Sequence, residues 1–434
     1  MPLIRPFRGI LYDPALAGSL DSLVAPPYDV ISPREQAELY EANPYNVIRL
    51  DLSRDRDRYG SACRAFHDWL TRGILARDPE PAYYVYAQKY RLANREERER
   101  WGFFTRLHLE DFASGKVLPH EKTLASAKAD RLELQRACRA NLSSIFGLYS
   151  APGWRLLDDL GSAVETSPGI EIRDRAETRH RLWRITEPKL CAALSRRLET
   201  VTVYIADGHH RYETALRYRD ELRAETGRRG GEEPFDFVLA FLTNMEEPGL
   251  VVLPTHRLLR ELELPAAALV SRLRERFRIE ASPRSDGTEA FLRRLRASAA
   301  GERRIGVVLR GIEDFLVLVT RDGENDARLA GSPSLRRLDV TLLHGLILER
   351  SQGGILGLDV HREAESKRLV YTKSDEEAVE RVESGEFAAA FLLNSTRVDE
   401  VRAVCEAGET MPEKSTYFYP KLLTGLVFNS VEDD

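Results

Sequence analysis

Three short runs in this chain combine residue types that could bind phosphate and handle a proton. The densest is Asp207, Gly208, His209, His210 and Arg211, which follows the apolar stretch VTVYIA and precedes the helix-forming stretch YETALRYRDELRAETG. A helix that starts there leaves its first amides without backbone partners, and its dipole adds positive potential, so the junction can hold an anion. Gly208 permits close approach of a phosphate or a backbone angle closed to other residues. His209, His210 and Arg211 add hydrogen-bonding or cationic groups, and a guanidinium can grip phosphate through two bonds. The same spacing also suits Asp207 as a plain helix N-cap with surface histidines.

The second run is Pro119, His120, Glu121, Lys122 and Thr123, between an expected strand and the helix KADRLELQRACRAN. A carboxylate beside His and Lys can serve as a general base for a substrate hydroxyl if the fold delivers it to the phosphate; a solvent-exposed helix start is the other reading. The third is Met411 to Lys421, which combines two lysines, two hydroxyls and three aromatics with two prolines. Lys414, Ser415 and Thr416 suit phosphate oxygens, but no GxxxxGK precedes them, so this is not a P-loop. A packed C-terminal strand accounts for the run equally well. Tyr28 and Asp29, in the rigid loop APPYDVIS, and His256 and Arg257, after LVVL, are supporting candidates that also fit Pro-stiffened turns and strand ends.

These runs must be positioned by regular elements. Residues 1–115 read as an N-terminal α+β region. Ser32, Pro33 and Glu35 form a capping-box start for one helix, and Cys63, Phe66, Trp69 and Leu70 share a face of a second. AYYVYAQKYRL and WGFFTRLHLEDF alternate with period two on either side of the charged stretch NREERER. That pattern predicts a hairpin whose aromatics serve as core rather than as a base-stacking platform. Residues 116–250 hold the phosphate-binding candidates, with strands HRLWRI, VTVYIA and FDFVLAFLTNM. Residues 251–434 alternate helices and strands, including a helix over LDVTLLHGLILERS, which favours helices packed on a sheet. LAFLTNM and AAFLLNS are too short a match to make an internal repeat. The fold class expected is α+β, a mixed α/β chain of two or three domains for 434 residues.

Composition excludes several function classes. The 64 Lys and Arg against 69 Asp and Glu, a net charge of -5, leave no basic excess for holding a polyanion by many phosphate contacts, so no nucleic acid partner is expected. The four cysteines are far apart with no CxxC pair, which predicts neither a zinc site nor a disulfide framework. No apolar run nears the ~18 residues needed to span a bilayer, and the N-terminus lacks the pattern of a secretory leader. A cytoplasmic protein with a small-molecule substrate is the expectation, its oligomeric state open.

Taken in order, Pro119 to Glu121, Asp207 to Tyr212 and Pro412 to Thr416 resemble the Pro-His-Glu, Asp-Gly-His-His-Arg and Pro-Lys-Thr-Thr-like segments of the free serine kinases of the ParB/sulfiredoxin superfamily. The whole chain is also similar to a widespread prokaryotic family of unknown function, sometimes labelled as related to serine kinases, through APPYDVIS, PYNVIRL, PHEKT, KADRL, ANLSSIFGLY, HRLW, YIADGHHRYETA, LPTHR and MPEKSTYFYPKL. The resemblance implies a ParB/sulfiredoxin-like core with N-terminal and C-terminal α/β extensions.

It further implies a kinase that phosphorylates a hydroxyl, that of free L-serine above all, from ATP, ADP or pyrophosphate with magnesium. On it, Glu121 is the base and Asp207 holds the substrate or a magnesium ion. Gly208, His209, His210 and Arg211 hold the donor phosphates, with His209 also at the catalytic centre, and Lys414, Ser415 and Thr416 touch phosphate. The chain departs from the compact kinases in its long Glu121 to Asp207 separation, its Pro-Glu-Lys-Ser-Thr run and its extra N-terminal region. Two competitors stand beside the kinase. One is a non-enzymatic ParB-like nucleotide-binding regulator. The other is a metal-dependent hydrolase using His120, Glu121, Asp207, His209, His210 and His256, although no HExxH spacing supports it.

Overall fold

The computed structural model describes residues 4–123, 125–165, 168–297, 299, 301–321 and 323–432. The chain folds as two units: 1–119, 123–251 and 420–434 form the first, and 120–122 with 252–419 form the second. The class is mixed α/β in both.

The first unit is built on a nine-stranded sheet. Its strands are β1 (Ile4–Arg5), β2 (Tyr83–Arg91), β3 (Glu97–His108), β4 (Val117–Leu118), β5 (Ile145–Tyr149), β6 (Ile170–Arg173), β7 (Arg179–Ile185), β8 (Val203–Asp207) and β9 (Phe237–Asn244). They lie in the order β4-β8-β5-β9-β3-β2-β7-β6, with β1 also against β3. The sheet draws strands from both sides of residue 115, so residues 1–115 and 116–250 share a core.

The hairpin forms as its alternation predicts, Tyr84 opposite Phe104 and Tyr86 opposite Gly102. Tyr83, Tyr84, Tyr86, Phe103 and Phe104 are all buried, so the aromatic stripe is core. The charged stretch does not stay in the turn: Glu97 to Arg100 continue β3, and Arg100 is fully buried. A strand accepts such a residue only because its guanidinium finds partners inside. Arg100 lies over Phe146 at 4.7 Å and donates to Gln88 and to a backbone carbonyl.

The helices of this unit that bear on the site are α1 (Pro33–Ala42), α2 (Ile48–Asp51), α3 (Arg58–Thr71), α4 (Ala125–Cys138) and α5 (His209–Thr226). Ser32 caps α1 by accepting from the Glu35 amide at 3.2 Å. Phe66 and Trp69 of α3 are buried, with Cys63 and Leu70 packed alongside. All four cysteines are free, and burial pushes the Cys138 thiol up to about 12.

The second unit carries a six-stranded sheet of β10 (His256–Leu259), β11 (Arg278–Pro283), β12 (Glu302–Leu309), β13 (Asp314–Arg321), β14 (Leu369–Thr372) and β15 (Ala389–Leu392), ordered β11-β13-β12-β15-β10-β14. FAAAFLLN and FDFVLAFLTNM therefore belong to different sheets. The stretch LDVTLLHGLILERS is wound as expected but not as one α-helix. Asp339–Leu342 is α-helical and Leu343–Leu348 is a π-helix, closed by the Glu349 amide on the His344 carbonyl. All six π-helical residues are buried, so packing rather than local propensity sets the wider winding.

Candidate functional site

β8 ends at a register shift between Ile205 and Asp207, a bulge that turns the Asp207 side chain out of the ladder. Gly208 follows with φ 88° and is the residue from which α5 starts. That angle favours glycine, and a Cβ there would sit 3.0 Å from the Arg211 guanidinium. Asp207 is not the N-cap. Its Oδ2 accepts from Arg211 Nη2 at 2.7 Å and its Oδ1 from Lys421 Nζ. Arg211 also donates to the Ser144 carbonyl. His209 is buried and His210 half-buried at the same helix end.

One carboxylate facing two cations leaves a positive balance at a helix N-terminus, where the amides of residues 209–211 have no intrahelical partners. Burial works against ionisation of Asp207, but Lys421 and Arg211 outweigh it and hold the carboxyl well below the usual aspartate range. Tyr28 joins this neighbourhood: Arg131 lies 4.1 Å over its ring, and burial, offset by Arg211 and Arg131, pushes its hydroxyl up to about 12. Asp29 is exposed.

Lys421 is the functional candidate that sequence reasoning passed over in favour of Lys414, although both lie in the same Lys-containing run. Its backbone is held from the hairpin. Gln88 Nε2 donates to the Lys421 carbonyl at 3.0 Å, and Arg100 donates to the Pro420 carbonyl at 2.6 Å and to Gln88 Oε1 at 3.1 Å. Gln88 and Arg100 are both wholly buried, and burial pushes Arg100 down to about 10, so it stays charged at neutral pH. Gln88→Leu should loosen Lys421 and raise the carboxyl pKa of Asp207, read by NMR titration of side-chain carboxyl carbons. An unchanged Asp207 titration would show that Lys421 holds its place without Gln88.

In the second unit His120 and Glu121 come together with the Pro-Glu-Lys-Ser-Thr run. Glu121 bridges Met411 in parallel, and its Oε1 accepts the Lys414 amide at 3.1 Å. His120, wholly buried, has Nε2 2.9 Å from Thr416 Oγ1 and 4.0 Å from Glu121 Oε2. Ser415 is buried, its hydroxyl on the Pro412 carbonyl and its own carbonyl accepting from Thr396. Lys414 has φ 57°, a left-handed turn that aims its amide at the carboxylate. Arg257 backs this turn by donating to the Glu413 and Lys414 carbonyls, each at 3.1 Å. His256 is interior, its Nδ1 accepting the Leu393 amide and its Nε2 3.2 Å from Asp375, which suits a structural part.

Asp207 does not fit as a magnesium ligand, because both its oxygens face cations that would repel a divalent ion. Among the described residues no group of three or more His, Cys, Asp and Glu side chains is arranged to hold a metal, and no helix is long and apolar enough to cross a membrane.

Residues 4–341 match the model of a family described as "Protein of unknown function (DUF1015)". No curated protein matches the chain. Among solved structures it is similar to a conserved hypothetical protein from Pyrococcus furiosus at 14% identity and TM-score 0.34, covering 74% of this chain and 92% of that one. A free serine kinase in complex with AMP is similar at 14% identity and TM-score 0.35, over 73% and 86%. SbnI with a C-terminal truncation, from Staphylococcus aureus, is similar at 10% and 0.32, over 74% and 85%.

Proposed function

This chain belongs to the DUF1015 family of proteins of unknown function, and from its residues we propose that it is a small-molecule kinase that moves a phosphoryl group from ATP, ADP or pyrophosphate to a hydroxyl, that of free L-serine. The observation that carries this reading is the junction of β8 and α5, where Asp207 is ringed by Arg211 and Lys421 at an amide-rich helix start with net positive charge. Such a centre neutralises charge on phosphate oxygens, which is most of what phosphoryl transfer asks of a protein.

The amides after Gly208, with His209, His210, Arg211 and Lys421, are assigned to the donor phosphates. Asp207 keeps the two cations in place. Glu121 is assigned as the base that takes the hydroxyl proton as that oxygen forms its bond to phosphorus and the bridging bond to the leaving phosphate or nucleotide breaks. Lys414, Ser415 and Thr416 are assigned to holding the Glu121 turn and phosphate oxygens. Magnesium in this reading arrives with the donor phosphates rather than on a carboxylate of the chain.

Purified protein given L-serine, magnesium and each donor in turn should form O-phospho-L-serine with at least one of them, detected by mass spectrometry. Absence of product with all three donors, from protein shown to be folded, sinks the serine assignment.

A further inference from the structure

Beside Arg211 the first unit buries a carboxylate that phosphate binding does not use. Asp51, the last residue of α2, is 4% exposed. Its Oδ1 accepts from Arg131 Nη1 at 2.9 Å, and its backbone carbonyl accepts from the same nitrogen at 3.1 Å. Its other oxygen, Oδ2, is buried without a hydrogen-bond partner among the described residues. Leaving a buried acceptor bare is costly, and more so when it is charged, so a carboxylate kept in this state points to a donor from outside the chain.

The surroundings say what kind of donor. Asp51, Arg131 and Arg211 line one small cleft of about 40 Å³, together with Gln135, Asn141 and Thr214. That volume is far below the roughly 300–1,000 Å³ of drug-sized ligand sites and suits only a group of a few atoms. Its walls carry one carboxylate and two guanidinium groups. Arg131 is committed to Asp51 and, through Nε and Nη2, to Asp130. Arg211 uses two bonds on Asp207 and the Ser144 carbonyl, which leaves donors of its five-donor fork for a ligand. A bare cation would meet two arginines, and a bare anion would meet Asp51. A small molecule bearing an ammonium and a carboxylate on neighbouring atoms satisfies both.

We propose that this cleft binds the backbone end of a free α-amino acid, with the ammonium donating to Asp51 Oδ2 and the carboxylate accepting from Arg211. The proposal rests on the kinase reading in that it supplies the acceptor's site, next to the residues assigned to donor phosphate. It adds a residue, Asp51, from α2 in the N-terminal region. Burial holds the Asp51 carboxyl above its usual range, with Arg131 and Arg211 opposing, so an incoming ammonium would also favour its charged form.

The test is equilibrium binding to the full chain by calorimetry. L-serine, glycine and L-alanine share the ammonium and carboxylate, whereas 3-hydroxypropanoate keeps the serine skeleton without the ammonium. At least one of the amino acids should bind, and 3-hydroxypropanoate should bind at least about tenfold more weakly than serine, the loss of one charge-assisted bond. Asp51→Asn should weaken the amino acid at least about tenfold and leave pyrophosphate binding unchanged.

No binding by any of the three amino acids overturns the proposal, as does equal affinity for serine and 3-hydroxypropanoate, or wild-type amino acid affinity in Asp51→Asn. If that variant does not fold, the ligand series on the wild-type chain decides. Amino acid binding without phosphoserine formation would sink the transfer reading and leave this cleft standing. Pyrophosphate binding without amino acid binding would overturn this cleft and leave only the phosphate site standing.

Discussion

Glu121→Gln is expected to lower turnover by about 10²–10⁴-fold, the usual worth of a general base, while ADP and pyrophosphate still bind. The substitution keeps size and shape and leaves an oxygen to accept the Lys414 amide, now received at 3.1 Å. It therefore preserves the turn at Pro412 to Thr416 and removes only the group that can take up a proton. The His120 interaction with Thr416 does not involve the carboxylate and should survive as well. Because the phosphate-binding residues are untouched, the loss should fall on kcat and spare the affinity for phosphate ligands. Near-normal turnover in Glu121→Gln would show that another group takes the proton.

Lys421→Met is expected to damage both stability and phosphate binding. Lys421 and Asp207 are mostly buried, with 14% and 18% of their side chains exposed; removing one partner of a buried pair costs about 3–5 kcal/mol when the other is left uncompensated, and because Arg211 still pairs with Asp207 the loss here should fall below that. The pH dependence has a definite sign. The Asp207 carboxyl is depressed in the folded state, so its stabilisation is fully present above the ordinary aspartate range and is lost as pH falls toward its folded value. The gap in stability between wild type and Lys421→Met should thus be full at neutral pH and shrink in acid below the ordinary aspartate range, as both proteins protonate Asp207. Urea denaturation across a pH series measures it. A gap that does not change with pH would mean that Lys421 stabilises by packing rather than by its charge. Pyrophosphate affinity should fall in the same variant, since a cation has left the site.

Much of the local structure was legible because it depends on neighbours in the chain. The Ser32 cap, the aromatic hairpin and the strand, glycine and helix around Asp207 follow from spacing and backbone preference alone. The same local reading misplaced Arg100 in a turn. Its burial depends on Gln88 and the Pro420 carbonyl, which are close only after folding. The π-helix at Leu343–Leu348 was likewise hidden, since nothing in a helical apolar pattern separates it from an α-helix. Lys421 could have been found, because it stands in the run already marked by Lys414. Asp51 carried no signal at all: an aspartate after PYNVIRL looks like any helix end until Arg131 takes one of its oxygens and leaves the other bare.

The sequence by itself determined the types of chemistry available: a helix start suited to phosphate, a carboxylate suited to accept a proton, and no basic excess for a polymer. Those properties reside in side chains and short spacings, which do not need the rest of the chain. Tertiary structure alone decided which charges meet. It gave Asp207 to Arg211 and Lys421 and withdrew it from metal binding, joined Glu121 to the Lys414 turn, and placed Asp51 in the cleft lined by Arg211. Charge pairing falls off over a few ångströms, and residues hundreds of positions apart reach that range only through the sheet, so the electrostatics of the site could not be read until the fold was known.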